Sequence, residues 1–238
     1  TPAIVLAGTL SLQTYKLSLT GAGESSNCSD NVGVAMPLCV ISGGTFNYGS
    51  STVSFEATLG TSTIAALNYY NLQTNPATGT PVFVFQSGSI TVYNNFLATT
   101  TQDAQAKINA DINDPQITIN GDFTVSQGQT FEASNSSQLK VGGNWQNRGN
   151  FVHNQGTVVF TSAQTGRSID NGESRFFNVT FDGQGSWVFA TSTTLEGSLR
   201  MVQGRLFGDK DLTIKGGNLD CGLTCGDIDF SSGGTVYL

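Results

Sequence analysis

The residues able to do chemistry are few and scattered. His153 is the only histidine, and it stands in the alternating stretch Phe151-Val152-His153-Asn154. Alternation of this kind reads as strand, so a structural or exposed residue is expected there rather than a catalytic base. No Gly-x-Ser-x-Gly elbow presents a nucleophile, and no triad can be built around the histidine. Asp170, Glu173 and Arg175 form the one local acid–base cluster. A polysaccharide-cleaving β-helix enzyme would need such groups in a groove, yet Ala65-Ala66-Leu67, which aligns with this segment, carries no charge. The densest carboxylates are Asp111 with Asp114, and Asp209 with Asp211. Calcium takes oxygen sets of this sort. Neither has the EF-hand spacing and no Gly-Asp nonapeptide repeat is present, so no metal or other cofactor is expected.

The four cysteines fall into two local pairs, Cys28 with Cys39 and Cys221 with Cys225. Pairing within each loop is the simplest of the three connectivities, and zinc spacing is poor with one distant histidine. Disulfides imply an oxidising, extracellular or cell-surface setting. The chain opens on Thr1-Pro2 and is read as a secreted product whose export signal has been removed.

Among 238 residues only 11% are charged, 29 are Gly and 10% are aromatic, with a net charge of −7. Aromatic and β-branched residues supply ample surface to bury, which excludes disorder. Ten scattered Lys and Arg form no basic patch, so nucleic acid is not an expected partner. No apolar run approaches the length of a membrane helix.

The elements that position these groups are short and repeated. Residues 44–72 and 149–181 both run Gly-x-Phe, a polar gap, Thr-Val-x-Phe, an isolated Ile, two aromatics and an Asn. Phe46 matches Phe151, Val53 matches Val158, Phe55 matches Phe160, Ile64 matches Ile169 and Asn71 matches Asn178. Residues 139–145 and 214–219 share a Lys, then Gly-Gly-Asn, and residues 226–238 repeat the opening of 149–160. Such self-similarity takes precedence over any other reading. Period-two alternation makes residues 1–20 strands. Residues 21–100 form a first β lobe, opening on the loop-rich segment 21–44. Residues 101–115 are expected to form a short helix or loop insert, with Ala104, Ile108 and Ile112 on one face. Residues 116–238 form a second β lobe.

The fold class predicted is all-β: a parallel β-solenoid built from degenerate internal repeats, with the 101–115 segment as the place where it would divide into two lobes. Asn71 and Asn178 suit turns better than an internal ladder. Asn27 and Asn135 sit in polar loops and fit the glycosylation pattern, and Asn178 fits it within a strand. The string Gly-Asn-Trp/Leu, Gly-x-Phe-x4-Gly-Thr-Val-x-Phe, Phe-x-Asn-Val-Thr-Phe and Gly-Ser-Leu resembles repeat modules of large secreted bacterial surface and adhesin-like proteins. The resemblance spans residues 44–97 and 127–238 and implies a repetitive extracellular β-solenoid; its motifs carry no catalytic residues.

Residues 234–238 followed by residues 1–19 of a second copy read like one more repeat. The expectation is therefore a structural, non-enzymatic filament subunit that polymerises head to tail, each N-terminus completing its neighbour's last repeat. The contact would be made by Ile4, Leu6, Leu10, Leu12, Tyr15, Leu17 and Leu19 against Phe230, Val236 and Leu238. Two rival readings are a non-catalytic adhesin segment that binds glycans and a β-helix polysaccharide-degrading enzyme. Trp145, Trp187 and the Tyr69-Tyr70 pair are the candidates for stacking on sugars, with core packing the commoner use of such residues.

Overall fold

The computed structural model describes residues 4–22, 35–221 and 225–238. Asn27 and Cys28 lie outside the described residues. The chain is all-β, with no helix among the described residues, and its parallel strands stack as a β-solenoid.

Each coil lays down one strand on each of three faces. The first holds β1 (Ile4–Leu6), β2 (Thr9–Ser11) and β3 (Lys16–Leu19). The next holds β4 (Leu38–Val40), β5 (Thr45–Asn47) and β6 (Thr52–Phe55), followed by β7 (Thr61–Ile64), β8 (Asn68–Tyr69) and β9 (Asn71–Thr74). Then come β10 (Val82–Phe85), β11 (Ser89–Val92) and β12 (Phe96–Ala98), and β13 (Lys107–Asn109), β14 (Gln116–Ile119) and β15 (Phe123–Val125). They are followed by β16 (Thr130–Glu132), β17 (Gln138–Val141) and β18 (Trp145–Asn147), and by β19 (Asn150–Val152), β20 (Thr157–Phe160) and β21 (Arg167–Asp170). The long β22 (Asn178–Phe189) turns a corner and serves two faces. After β23 (Thr193–Leu195), β24 (Leu199–Phe207) does the same. The described ladder closes with β25 (Leu212–Ile214), β26 (Leu219–Cys221), β27 (Asp227–Asp229) and β28 (Val236–Tyr237).

Alternation within each strand sends every second side chain inward, and equivalent positions stack coil on coil. On the face of β3, Leu17, Val53, Leu72, Phe96, Phe123, Trp145, Ile169 and Phe189 occupy one column. Rings within it lie nearly parallel: Phe96 on Phe123 at 5.5 Å and Phe123 on Trp145 at 4.1 Å between centroids. A second column runs through Tyr69, Val92, Ile119, Val141, Phe160, Phe181 and Met201. These columns and their counterpart on the third face form one continuous core.

The helix expected over residues 101–115 is not formed. Lys107–Asn109 is instead β13, paired with β10 on one side and β16 on the other. Ala104 and Ile108 are buried and Ile112 is exposed, which a common helical face would not allow. Ladder neighbours on both sides satisfy the backbone here. The Asn109 side chain then accepts from the amides of Asp111 and Ile112, turning the chain where a helix would have continued it. The ladder passes unbroken through the segment.

Close backbone approach fixes a column of glycines where the chain turns within β22 and β24. A Cβ on Gly204, whose φ is +78°, would lie 2.3 Å from the Gly183 carbonyl oxygen and 2.8 Å from the Trp187 ring. Gly204→Ala should therefore lower stability by about 2–4 kcal/mol, combining left-handed backbone strain with that clash. Urea unfolding monitored by tryptophan fluorescence checks this; an unchanged midpoint would show that the turn relaxes freely.

Candidate functional site

The two ends of the ladder are the most unusual surfaces of the molecule. Among the described residues, β1, β2 and β3 at one end each pair on one side only, with β4, β5 and β6 of their own chain. The Ile4 amide donates to the Pro37 carbonyl, and the carbonyls of Leu6, Gly8, Tyr15 and Leu19 accept from the following coil, as the Leu12 amide donates to it. By alternation, Val5, Thr9, Ser11, Lys16 and Ser18 direct their backbone groups away from the molecule. At the other end the carbonyls of Asn218, Asp229 and Thr235 accept from the coil before. The intervening Leu219, Ile228 and Val236 direct theirs outward.

Among the described residues the core is thinly covered at both ends. Leu6, Leu12 and Leu19 are buried, whereas Ile4, Leu10 and Leu17 are half-buried and Tyr15 is 71% exposed. Opposite, Ile228, Phe230 and Val236 are half-buried, Leu219 and Tyr237 are exposed and Leu238 is 83% exposed.

Charges and hydroxyls pin the edge coils to their neighbours. Lys16 reaches Glu56 at 2.7 Å, and Glu56 also accepts from Ser54 and Ser18. Burial alone would raise the Glu56 carboxyl, but these hydrogen bonds outweigh it and hold the group below the usual range. Asp229 is pushed down to about 2 by the Ser231 hydroxyl and amide and by Arg205, with which it also forms an ion pair. Both folded values lie below the unfolded ones. The stabilisation is therefore complete above about pH 4–5 and is lost as pH falls through the folded values. Amide exchange should show coil β1–β3 loosening as Glu56 protonates, while the Arg205–Asp229 contact persists until pH approaches 2. Simultaneous loosening of the two would contradict these partner sets.

Polar corners carry a ladder of their own. Asn71 Oδ1 accepts from the Asn94 side chain at 2.9 Å, Asn95 Oδ1 from the Asp122 amide, Asp122 Oδ1 from the Asn144 amide, and Asn144 Oδ1 from the Ser168 amide. Each corner side chain thus caps the next coil. Asn178 begins a similar run at a different corner, accepting from the Ser198 amide at 2.9 Å, while the Ser198 hydroxyl accepts from the Asn218 amide. Asn71 and Asn178 are thus the first residues of β9 and β22 and members of corner ladders, rather than the turn residues expected.

The expected acid–base cluster is not assembled. Asp170 caps the turn at Gly172, Glu173 is exposed, and Arg175 reaches Glu196 at 2.8 Å. His153 joins that carboxylate. Its Nδ1 accepts from the Gln155 amide at 3.0 Å, so Nε2 carries the proton and donates to Glu196 at 3.1 Å. Arg175 first and His153 second hold the Glu196 carboxyl below its ordinary value. Glu196 gave no signal in the sequence, because only the lengths of the intervening coils bring it beside His153. The trio ties successive coils together.

Asp111 accepts from the Asn135 side chain, Asp114 from the Ser134 hydroxyl, and Asp211 from the Thr235 amide, while Asp209 pairs with Lys210. Among the described residues no three His, Cys, Asp or Glu side chains are grouped to hold a metal. Trp145, Trp187 and Tyr69 are fully buried, which removes them as sugar platforms. The Trp145 indole donates to Asn171, and the Tyr69 hydroxyl to the Ala65 carbonyl. Cys221 and Cys225 form a disulfide, and Cys39 is disulfide-bonded. Asn135 is exposed and Asn178 half-buried. No helix among the described residues is long and apolar enough to cross a membrane.

The fold defines a parallel β-solenoid whose terminal coils, among the described residues, pair on one side. No protein-family model, no curated protein and no solved structure matches the chain.

Proposed function

We propose that the protein is a structural subunit of an extracellular filament in which copies join head to tail. The observation that carries this reading is the pair of thinly covered edges. Half-buried Ile4, Leu10 and Leu17 close one end of the core and half-buried Ile228, Phe230 and Val236 the other, and backbone groups at both ends point outward in strands of one direction. A second copy placed on either edge continues a parallel ladder and a continuous core. These side chains are already half-buried, so burying the remainder of about five of them contributes roughly 4–8 kcal/mol before association costs of several kcal/mol are subtracted. A contact between unlike ends does not close on itself, so it extends into a filament.

Since β1–β3 already pair with their own chain, the geometry favours end-stacking over donation of a strand. The disulfides fit an oxidising, extracellular location. The purified protein should form unbranched filaments by negative-stain microscopy, and aligned filaments should diffract at about 4.8 Å along the axis, the spacing of successive coils. A preparation that stays monomeric at high concentration would refute the reading.

A further inference from the structure

A row of tyrosines lies along one corner of the solenoid, away from the core columns. Tyr48 and Tyr93 stack face to face, with centroids 5.3 Å apart and planes 15° from parallel. The Tyr93 amide donates to the Tyr69 carbonyl and the Asn94 amide to the Tyr70 carbonyl, so Tyr70 and Tyr93 are neighbours on successive coils. Tyr15 and Tyr70 flank Ser51 in the same way: the Thr52 amide donates to the Tyr15 carbonyl, and the Asn71 amide to the Ser51 carbonyl. Tyr15 is 71% and Tyr93 45% exposed, and Tyr48 and Tyr70 are half-buried. The row is interleaved with the amides of Asn71 and Asn94. Beyond it the same corner carries Gly121, then Gly142 and Gly143, so the patch has an end.

Exposed aromatic rings gain little for folding, and a cluster of them marks a contact surface. Tyrosine offers rigid, flat, amphipathic area, and asparagine adaptable hydrogen bonds. Of the charged side chains along this corner, Lys16 pairs with Glu56 at 2.7 Å, and Asp122, whose amide donates to Asn95, accepts from the Asn144 amide. Successive coils lie about 4.8 Å apart, close to one extended pyranose unit. From this juxtaposition we infer that the corner formed by Tyr15, Tyr48, Tyr70 and Tyr93 binds a neutral linear polysaccharide. The ring faces left open, the outer faces of the Tyr48–Tyr93 stack among them, take the apolar faces of sugars, and the asparagine amides and tyrosine hydroxyls take their hydroxyls.

Affinity gel electrophoresis in hydroxyethylcellulose, arabinoxylan and galactomannan, with alginate as the anionic contrast, tests this. At least one neutral polymer should retard the protein more than alginate does. Tyr93→Ala should weaken that binding about five- to tenfold, the loss of one ring contact, while Tyr93→Phe keeps most of it. Circular dichroism should be unchanged in both, since Tyr93 is exposed. The Ser11→Pro/Ser18→Pro protein, altered only at the ladder edge, should bind as the parent does, whether or not the parent forms filaments. The inference is overturned if no neutral polymer retards the protein, if Tyr93→Ala binds as tightly as the parent, or if alginate binds best. It is overturned equally if the corner instead mediates glycan-free side-by-side association that Tyr93→Ala abolishes.

Discussion

Replacing Ser11 and Ser18 with proline should leave a folded monomer where the parent protein forms filaments. Both residues lie on the edge strands β2 and β3 and turn their amides away from the chain's own coils. Proline is tolerated on an edge strand whose N–H faces outward, so the internal ladder β2–β5 and β3–β6 keeps its backbone hydrogen bonds and loses only the exposed Ser18–Glu56 and Asn47–Ser11 side-chain bonds. A stacked neighbour would lose two donors and meet two rings. At about 1–3 kcal/mol for each acceptor left unpaired, the association constant should fall by roughly 10²–10⁴. Sedimentation velocity gives the subunit state and thermal melting gives the fold. Filaments that persist with unchanged stability would place the subunit contact elsewhere.

Truncating the centre of the aromatic column should have the largest effect on stability. Trp145 stacks on Phe123 at 4.1 Å, meets Phe151 edge-on at 4.9 Å and donates its indole N–H to buried Asn171 at 2.9 Å. Trp145→Ala leaves a cavity and an unpaired amide oxygen, at a cost of about 4–6 kcal/mol. For a chain of this size that is a drop in melting temperature of about 10 °C or more. Trp145→Phe keeps the stack and loses the hydrogen bond, so its penalty should be nearer 1–3 kcal/mol. The backbone of each coil pairs only with the coils on either side of it, so a weakened middle coil should also uncouple the two ends. Calorimetry should then resolve two transitions in place of one. A small, single-transition response to Trp145→Ala would mean that the column contributes little to cohesion.

The one-face rotation of the repeats shows how far the sequence could be read. Val53 and Phe55 lie on β6, in the ladder of β3 and β9, whereas their matches Val158 and Phe160 lie on β20, in the ladder of β17 and β22. Trp145 and its match Leu219 are displaced in the same sense, on β18 and β26. Every face asks for the same thing, alternating inward apolar residues between Gly/Asn corners, so a stretch of three strands aligns with another that starts one face later. Similarity along the chain therefore reported the kind of element and not its place in the stack.

Alternation, the Gly and Asn corners and the short Cys221–Cys225 spacing were legible because each depends on neighbours close in sequence, and the internal repeats added the parallel stacking of short coils. Tertiary structure decided the rest. It made residues 107–109 a strand, since ladder partners on both sides satisfy a backbone that three weakly periodic apolar residues could not hold as a helix. It brought Glu196 to His153 and Arg175, and set Tyr48 against Tyr93. Those contacts depend on how many residues each coil spends on its corners, a quantity that varies along the chain and is fixed only when the coils are stacked.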